Sequence, residues 1–199
     1  MIYLSGAVWD RYCDPRVGFM LRSDRWGIPA HGWLAADNGR FANPLAYDEA
    51  AYLKFLDRLP RERMLFATAP DVLGNHLATV ALARGTLAAI DDLGIHPAFV
   101  AQDGFAVATT PWAGFDVLFI GGSTAFKFRG GRRAAAAALA RGKRVHVGRV
   151  NSLDRLTAAV SIGASSADGT FLRFGPDRRW PELLSWLDRL HVAPSLPLA

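Results

Sequence analysis

The sequence predicts an α/β protein, a compact or partly degenerate (β/α)8 barrel of the TIM type, and three observations lead there. Short apolar runs are continuous rather than alternating, as in strands buried on both faces. Helical stretches fill most of the gaps between them, and strand–helix alternation with right-handed crossovers implies a parallel sheet. Seven or eight such runs fit within 199 residues. That count favours closure into a barrel, and a chain this short for the fold implies a missing or degenerate helix.

The elements follow in order. IYLSGAV (2–8) opens the chain as a strand, and the stretch from Trp9 to Pro29 is expected to be irregular. GWLAAD (32–37) is the next strand. After the Asn43-Pro44 turn, Ala46 to Leu59 reads as a helix, with Tyr47, Ala50, Ala51, Lys54 and Phe55 at helical spacing. MLFATAP (64–70) precedes a long helix from Leu73 to Leu93, ended by Gly94. AFVAQ (98–102) and VLFIGG (117–122) are strands. The alanine-rich run from Arg132 to Arg141 forms helix readily and stops at Gly142. RVHVG (144–148) is a strand, Ser152 caps a helix to Val160, and IGASSAD (162–168) is the last full strand. FLRF (171–174) reads as one more short strand. Pro181 opens a final helix to Leu190, because proline is tolerated in a first turn, and residues 191–199 form an extended tail.

Composition is that of an ordinary globular domain, 51% hydrophobic and 21% charged. The expectation is one domain over residues 1–199. No apolar run reaches the length of a membrane span, and the first residues lack a basic region ahead of a long apolar stretch, so neither membrane insertion nor secretion is expected. Cys13 is the single cysteine, which excludes an internal disulfide and a zinc–cysteine cluster and suits a reducing cytoplasm. Net charge is +5, and 20 of the 23 basic residues are arginine. Arginine forks suit phosphate, yet the same Ala-Arg-Gly bias is what a GC-rich gene encodes; both readings stand.

The chemistry-bearing residues sit just past apolar runs. In a parallel α/β protein the carboxyl ends of the strands open onto one face, where ligand sites form. Asp37-Asn38-Gly39-Arg40-Phe41 fits either a plain turn or a place where backbone approaches a flat ligand with Phe41 stacked on it. Asp71 either caps the following helix or faces a ligand. Gln102 leads a polar turn, Gln102-Asp103-Gly104. Gly121-Gly122 offers backbone N–H groups to a base edge or a phosphate. His146, inside a strand, reads as an interior residue. No cluster has metal-ligand spacing, no serine lies in a nucleophile elbow, and no phosphate-loop lysine motif is present. Asp168 and Asp37 together supply two carboxylates, the set needed for displacement at a sugar anomeric carbon.

The order AADNGRF, APDV, VAQDG, FIGGS and VHVGRV…IGASSADGT resembles the tRNA-guanine transglycosylase superfamily, and more narrowly its DpdA-type branch, which inserts 7-deazaguanines into DNA. The resemblance runs from about Gly32 to Thr170. It implies a glycosyltransferase of the base-exchanging kind, working without a cofactor. Asp168 would be the nucleophile that forms a glycosyl-aspartate, and Asp37 the general acid/base. Asn38, Asp71, Gln102, Gly121 and Gly122 would bind the base, with Phe41 stacking on it. Arg129, Arg132, Arg133 and Arg149 would meet nucleic-acid phosphates. Departures from the family pattern are Asn38 for the usual serine, Arg40 for the second glycine, and the missing zinc-binding cysteine cluster. The last points to DNA rather than tRNA as partner, with a 7-deazaguanine such as preQ0 incoming and a protein partner or a homodimer as further expectations. The alternatives are a barrel glycosidase or nucleoside hydrolase using water as second acceptor, and a non-catalytic member that binds DNA or a partner.

Overall fold

The computed structural model describes residues 1–7, 10–24, 27–40 and 44–190. Eight strands form one closed parallel barrel in chain order: β1 (Ile2–Ser5), β2 (Val17–Arg22), β3 (Leu34–Asp37), β4 (Met64–Thr68), β5 (Pro97–Ala101), β6 (Val117–Ile120), β7 (Arg144–Val147) and β8 (Ser166–Gly169). Pairing of Leu4 with both Gly18 and Asp168 closes the ring. The expected barrel is therefore the observed one.

The expected degeneracy is also there. Among the described residues no α-helix links β1 to β2 or β2 to β3, and β5 reaches β6 through only a short 3-10 turn at Trp112–Gly114. Helices α1 (Glu49–Asp57), α2 (His76–Asp92), α3 (Thr124–Arg129), α4 (Gly131–Leu139), α5 (Leu153–Ser161) and α6 (Pro176–Arg189) supply the rest. Four of these starts are capped by a side chain. Asp48, Asn75, Ser123 and Ser152 accept hydrogen bonds from the N–H of the residue three positions on, satisfying donors that a helix start leaves free.

Four local expectations are corrected. The stretch read as irregular contains β2; Gly18 and the flanking Arg16 and Arg22 break its apolar run. Glycine is required there, because a Cβ would lie 2.3 Å from the Trp33 carbonyl oxygen. FLRF is a 3-10 turn (Phe171–Arg173), not a strand. Helix α3 follows the Gly121-Gly122 turn, where none was expected. The last helix starts at Pro176 rather than Pro181, launched by Gly175 in the left-handed region (φ 75°), and it tolerates Pro181 near its start. The tail at 191–199 lies outside the described residues.

Two apolar layers hold the barrel. The larger lies between strands and helices, with Tyr3, Leu21, Leu34, Tyr52, Leu56, Leu87, Phe99 and Leu118 buried in it. A smaller cluster of Ile2, Leu4, Met20, Ala35, Leu65, Phe66, Ala98 and Val117, with Trp33 and Phe119 against it, fills the interior. Burying one large side chain of this kind contributes about 1.5–3 kcal/mol. Arg63 ties the β2–β3 connection to the barrel by donating to the carbonyls of Pro29, His31 and Gly32. No described helix is long and apolar enough to cross a membrane.

Side chains alternate along a strand, so the interior positions recur every second residue. Two residues beyond the inner apolar layer those positions turn polar or empty: Asp37 follows Ala35, Thr68 follows Phe66, Gln102 follows Val100, and Gly121 follows Phe119. The carboxyl end of the barrel is built by that switch.

Candidate active site

At this end lies a cavity of about 190 Å³ that gathers Asp37, Asn38, Asp71, Gln102, Gly121, Gly122 and Asp168. Residues 131 positions apart in sequence thus share one mouth. Phe41 lies outside the described residues.

Asp37 ends β3. Its Oδ1 accepts from the Gly39 N–H at 2.7 Å, a bond that Gly39 makes possible by adopting φ 75°. Burial pushes its carboxyl up to about 6, and the charges of Asp168 and Asp71 add to that, against the pull of the Gly39 bond and Arg22. A carboxyl in this range both gives and takes protons near neutral pH.

Asp71 and Gln102 form a pair. Gln102 donates from Nε2 to Asp71 Oδ2 at 2.6 Å, and its Oε1 accepts from the Gly74 N–H at 3.0 Å. Those bonds set the amide's orientation, and Gln102 is buried. Burial raises the Asp71 carboxyl, while bonds from Asn38 and Gln102 and the charge of Arg40 hold it back. Gly121 must be glycine, since a Cβ would stand 2.7 Å from Val100 Cγ1 and 3.2 Å from Gln102 Nε2. Gly122 turns the chain at φ 70°, and Asp103 takes both the N–H and the hydroxyl of Ser123 beyond it.

Asn38 lines the cavity, and its side chain also ties the frame together. Its Nδ2 donates to Thr68 Oγ1 and the Ala69 carbonyl, and its Oδ1 accepts from the Arg40 N–H. It joins the ends of β3 and β4 at the wall of the cavity.

Asp168 stands in β8, with its Oδ1 receiving His146 Nε2 at 3.0 Å and its Oδ2 a long contact from the Arg149 N–H at 3.5 Å. The loop after β7 is clamped around it. The Val150 N–H donates to the Asp168 carbonyl at 2.6 Å, and the Tyr3 hydroxyl to the Val150 carbonyl at 3.0 Å. Arg149 adopts φ 62°, a left-handed conformation unusual for a non-glycine residue and one that often marks functional loops.

A second cavity of about 340 Å³ adjoins the first and shares Lys127, Gly148 and Arg149 with it. Arg132 and Arg155 line it too, whereas Arg129 and Arg133 line neither cavity. Lys127 donates to the Gly148 carbonyl at 2.6 Å. Its ammonium is pushed down to about 8 by burial and by the charges of Arg149 and Arg155, against the pull of Asp168.

Three residues at this site escaped the sequence reading. Lys127 sat in a helix that was not expected, Arg155 in the middle of an amphipathic helix, and His146 looked like interior packing. The His146–Asp168 contact had one signal: each residue lies two positions beyond an inward strand position. Among the described residues no group of His, Cys, Asp and Glu is placed to hold a metal ion.

No protein-family model and no curated protein matches the chain. Among solved structures it is similar to the Bacillus subtilis YkuI protein, with an EAL domain, in complex with substrate c-di-GMP and calcium. The identity is 16% and the TM-score 0.44, over 82% of this chain and 45% of that one. The chain therefore spans less than half the length of that structure. A protein with c-di-GMP as its substrate does not match the glycosyltransferase class expected from the sequence, and on that finding the class assignment is withdrawn.

Proposed function

We propose that the cavity cleaves the N-glycosidic bond of guanine in DNA, with Asp168 as nucleophile and Asp37 as proton donor. The observation that carries this reading is one cavity lined by two carboxylates in different settings: Asp37 held up to about 6, and Asp168 hydrogen-bonded by an imidazole. A carboxyl that keeps its proton near neutral pH, facing a second carboxylate across one cavity, is what nucleophile-plus-acid chemistry requires.

The first step forms a bond from an Asp168 oxygen to C1′ and breaks the bond from C1′ to the base nitrogen. The bonding pair goes to the purine, and a proton from Asp37 neutralises it. In the second step an acceptor attacks C1′, Asp168 leaves as carboxylate, and Asp37 takes the acceptor's proton. Guanine is favoured over adenine because a carboxylate such as Asp71 only accepts, and guanine presents N1–H and N2–H donors side by side. The cations of the second cavity support a phosphate-bearing substrate rather than a free nucleoside. The target nucleotide would have to leave the stack to reach a site this enclosed.

The test is mass spectrometry of nucleosides and free bases after the purified chain meets guanine-containing single-stranded and duplex DNA and tRNA, with and without a 7-deazaguanine base, beside Asp168→Ala. Guanine released by the wild type alone supports the reading. An abasic sugar then identifies water as the acceptor, and a deazaguanine deoxynucleoside identifies a base. Guanine release confined to tRNA keeps the chemistry and overturns DNA. No release from any polymer by a folded chain overturns the reading.

A further inference from the structure

His146 is wholly buried on β7, directly opposite Phe119 of β6 and Ser166 of β8 in the strand register. Its ring is held by Phe66 and Phe119, with centroids 4.8 and 4.5 Å away. Nδ1 meets Ser166 Oγ at 2.8 Å, and Nε2 meets Asp168 Oδ1 at 3.0 Å. Both partners stand at alternate positions of one strand, and so on the same face of β8.

The donors and acceptors settle the tautomer. Burial lowers the imidazole's proton affinity, and the nearby Lys127 ammonium opposes a second positive charge, against the pull of Asp168. A neutral imidazole has one donor nitrogen and one acceptor. An ionised carboxylate only accepts, so Nε2–H donates to Asp168 and the Nδ1 lone pair receives the Ser166 hydroxyl. The other titratable groups facing Asp168 are Asp37 from β3, Lys127 from α3 and Tyr3 from β1.

We propose that His146, held in its Nε2–H tautomer by the acceptor-only carboxylate with the Ser166 hydroxyl turned to donate to Nδ1, is the positioning residue of Asp168: it pins Oδ1 and leaves Oδ2 to reach the sugar carbon. This rests on the glycosidic reading above for its consequence, though not for its geometry. When Oδ2 forms the ester, Oδ1 becomes the carbonyl oxygen and keeps the Nε2–H bond. When the ester breaks, the bond strengthens as charge returns to the carboxylate. Loss of the imidazole would let the carboxylate swing, and a misplacement of about 1 Å costs on the order of 100-fold in rate.

The experiment uses the full chain with His146→Gln, His146→Leu and Ser166→Ala. Single-turnover formation of the glycosyl-aspartate on a guanine oligonucleotide is expected to fall about 100-fold in His146→Leu. Oligonucleotide affinity should stay unchanged. His146→Gln, whose amide places an N–H where Nε2–H was, is expected to recover most of that loss. Without any substrate, ¹⁵N spectra should show His146 protonated at Nε2 in the wild type and still so in Ser166→Ala, because the carboxylate sets the tautomer. Equal losses in the Gln and Leu variants would make His146 mere packing and overturn the proposal, as would an Nδ1–H wild-type ring. A wild type that shows the expected tautomer and forms no adduct overturns the glycosidic reading instead.

Discussion

Replacing Asp37 by asparagine should stabilise the fold at neutral pH. The carboxyl rises from an ordinary 3.8 to about 6 in the folded chain, chiefly through burial. A folded state that holds its proton more tightly than the unfolded state is penalised wherever the unfolded state has already lost it. Below about 3.8 both states are protonated and there is no cost. Between 3.8 and 6 the cost grows, and above 6 it is fully present. Roughly two pKa units at 1.36 kcal/mol each give a penalty of about 3 kcal/mol. Asparagine carries no charge at any of these pH values, and its Oδ1 still accepts the Gly39 N–H. The variant should therefore gain up to about 3 kcal/mol at pH 7–8, a Tm increase of roughly 6–12 °C for a chain of this size. Near pH 4 it should gain close to nothing. Urea titrations of both proteins from pH 4 to pH 8 read the difference directly. A gain that is flat with pH, or a loss at pH 7.5, would refute the claim that burial of this carboxyl is what holds its proton.

The same carboxyl sets the activity profile. If Asp37 protonates the departing base, kcat/KM for guanine release should fall about tenfold per unit above about pH 6; an alkaline limb that persists in Asp37→Asn would assign it to another group. Gly121→Ala should displace Gln102 from Asp71, because the new Cβ would stand 3.2 Å from Gln102 Nε2 and 2.7 Å from Val100. Substrate affinity should fall by about tenfold or more while stability drops about 1–3 kcal/mol; calorimetric titration and urea unfolding separate the two. Lys127→Met and Arg155→Ala should each lower the salt dependence of DNA binding by about one unit of slope, and an unchanged slope would remove the second cavity from the DNA path. Arg63→Ala should cost about 2–4 kcal/mol in urea, since three carbonyls lose their donor, with catalysis otherwise intact.

The strand-end residues were legible because a strand's direction and its two-residue period are both written locally. Once GWLAAD, MLFATAP, AFVAQ and IGASSAD read as buried parallel strands, Asp37, Asp71, Gln102 and Asp168 had to open at one end. β2 was missed because Gly18 interrupts its apolar run for a reason found 15 residues later, at the Trp33 carbonyl. The frame bonds of Asn38 were not legible because its partners, Thr68 and Ala69, lie at and just past the end of the next strand.

By itself, then, the sequence determined the barrel class and the convergence of the polar strand ends, since both follow from apolar continuity and chain direction. Tertiary structure alone decided how those polar groups are bonded to one another and to the frame around the cavity. It placed Lys127 and Arg155 beside Arg149, and it set His146 between Ser166 and Asp168. Those contacts depend on strand register and on how helices seat against the barrel. A one-residue slip would turn every inward side chain outward, and only the closed ring of eight paired strands holds that register.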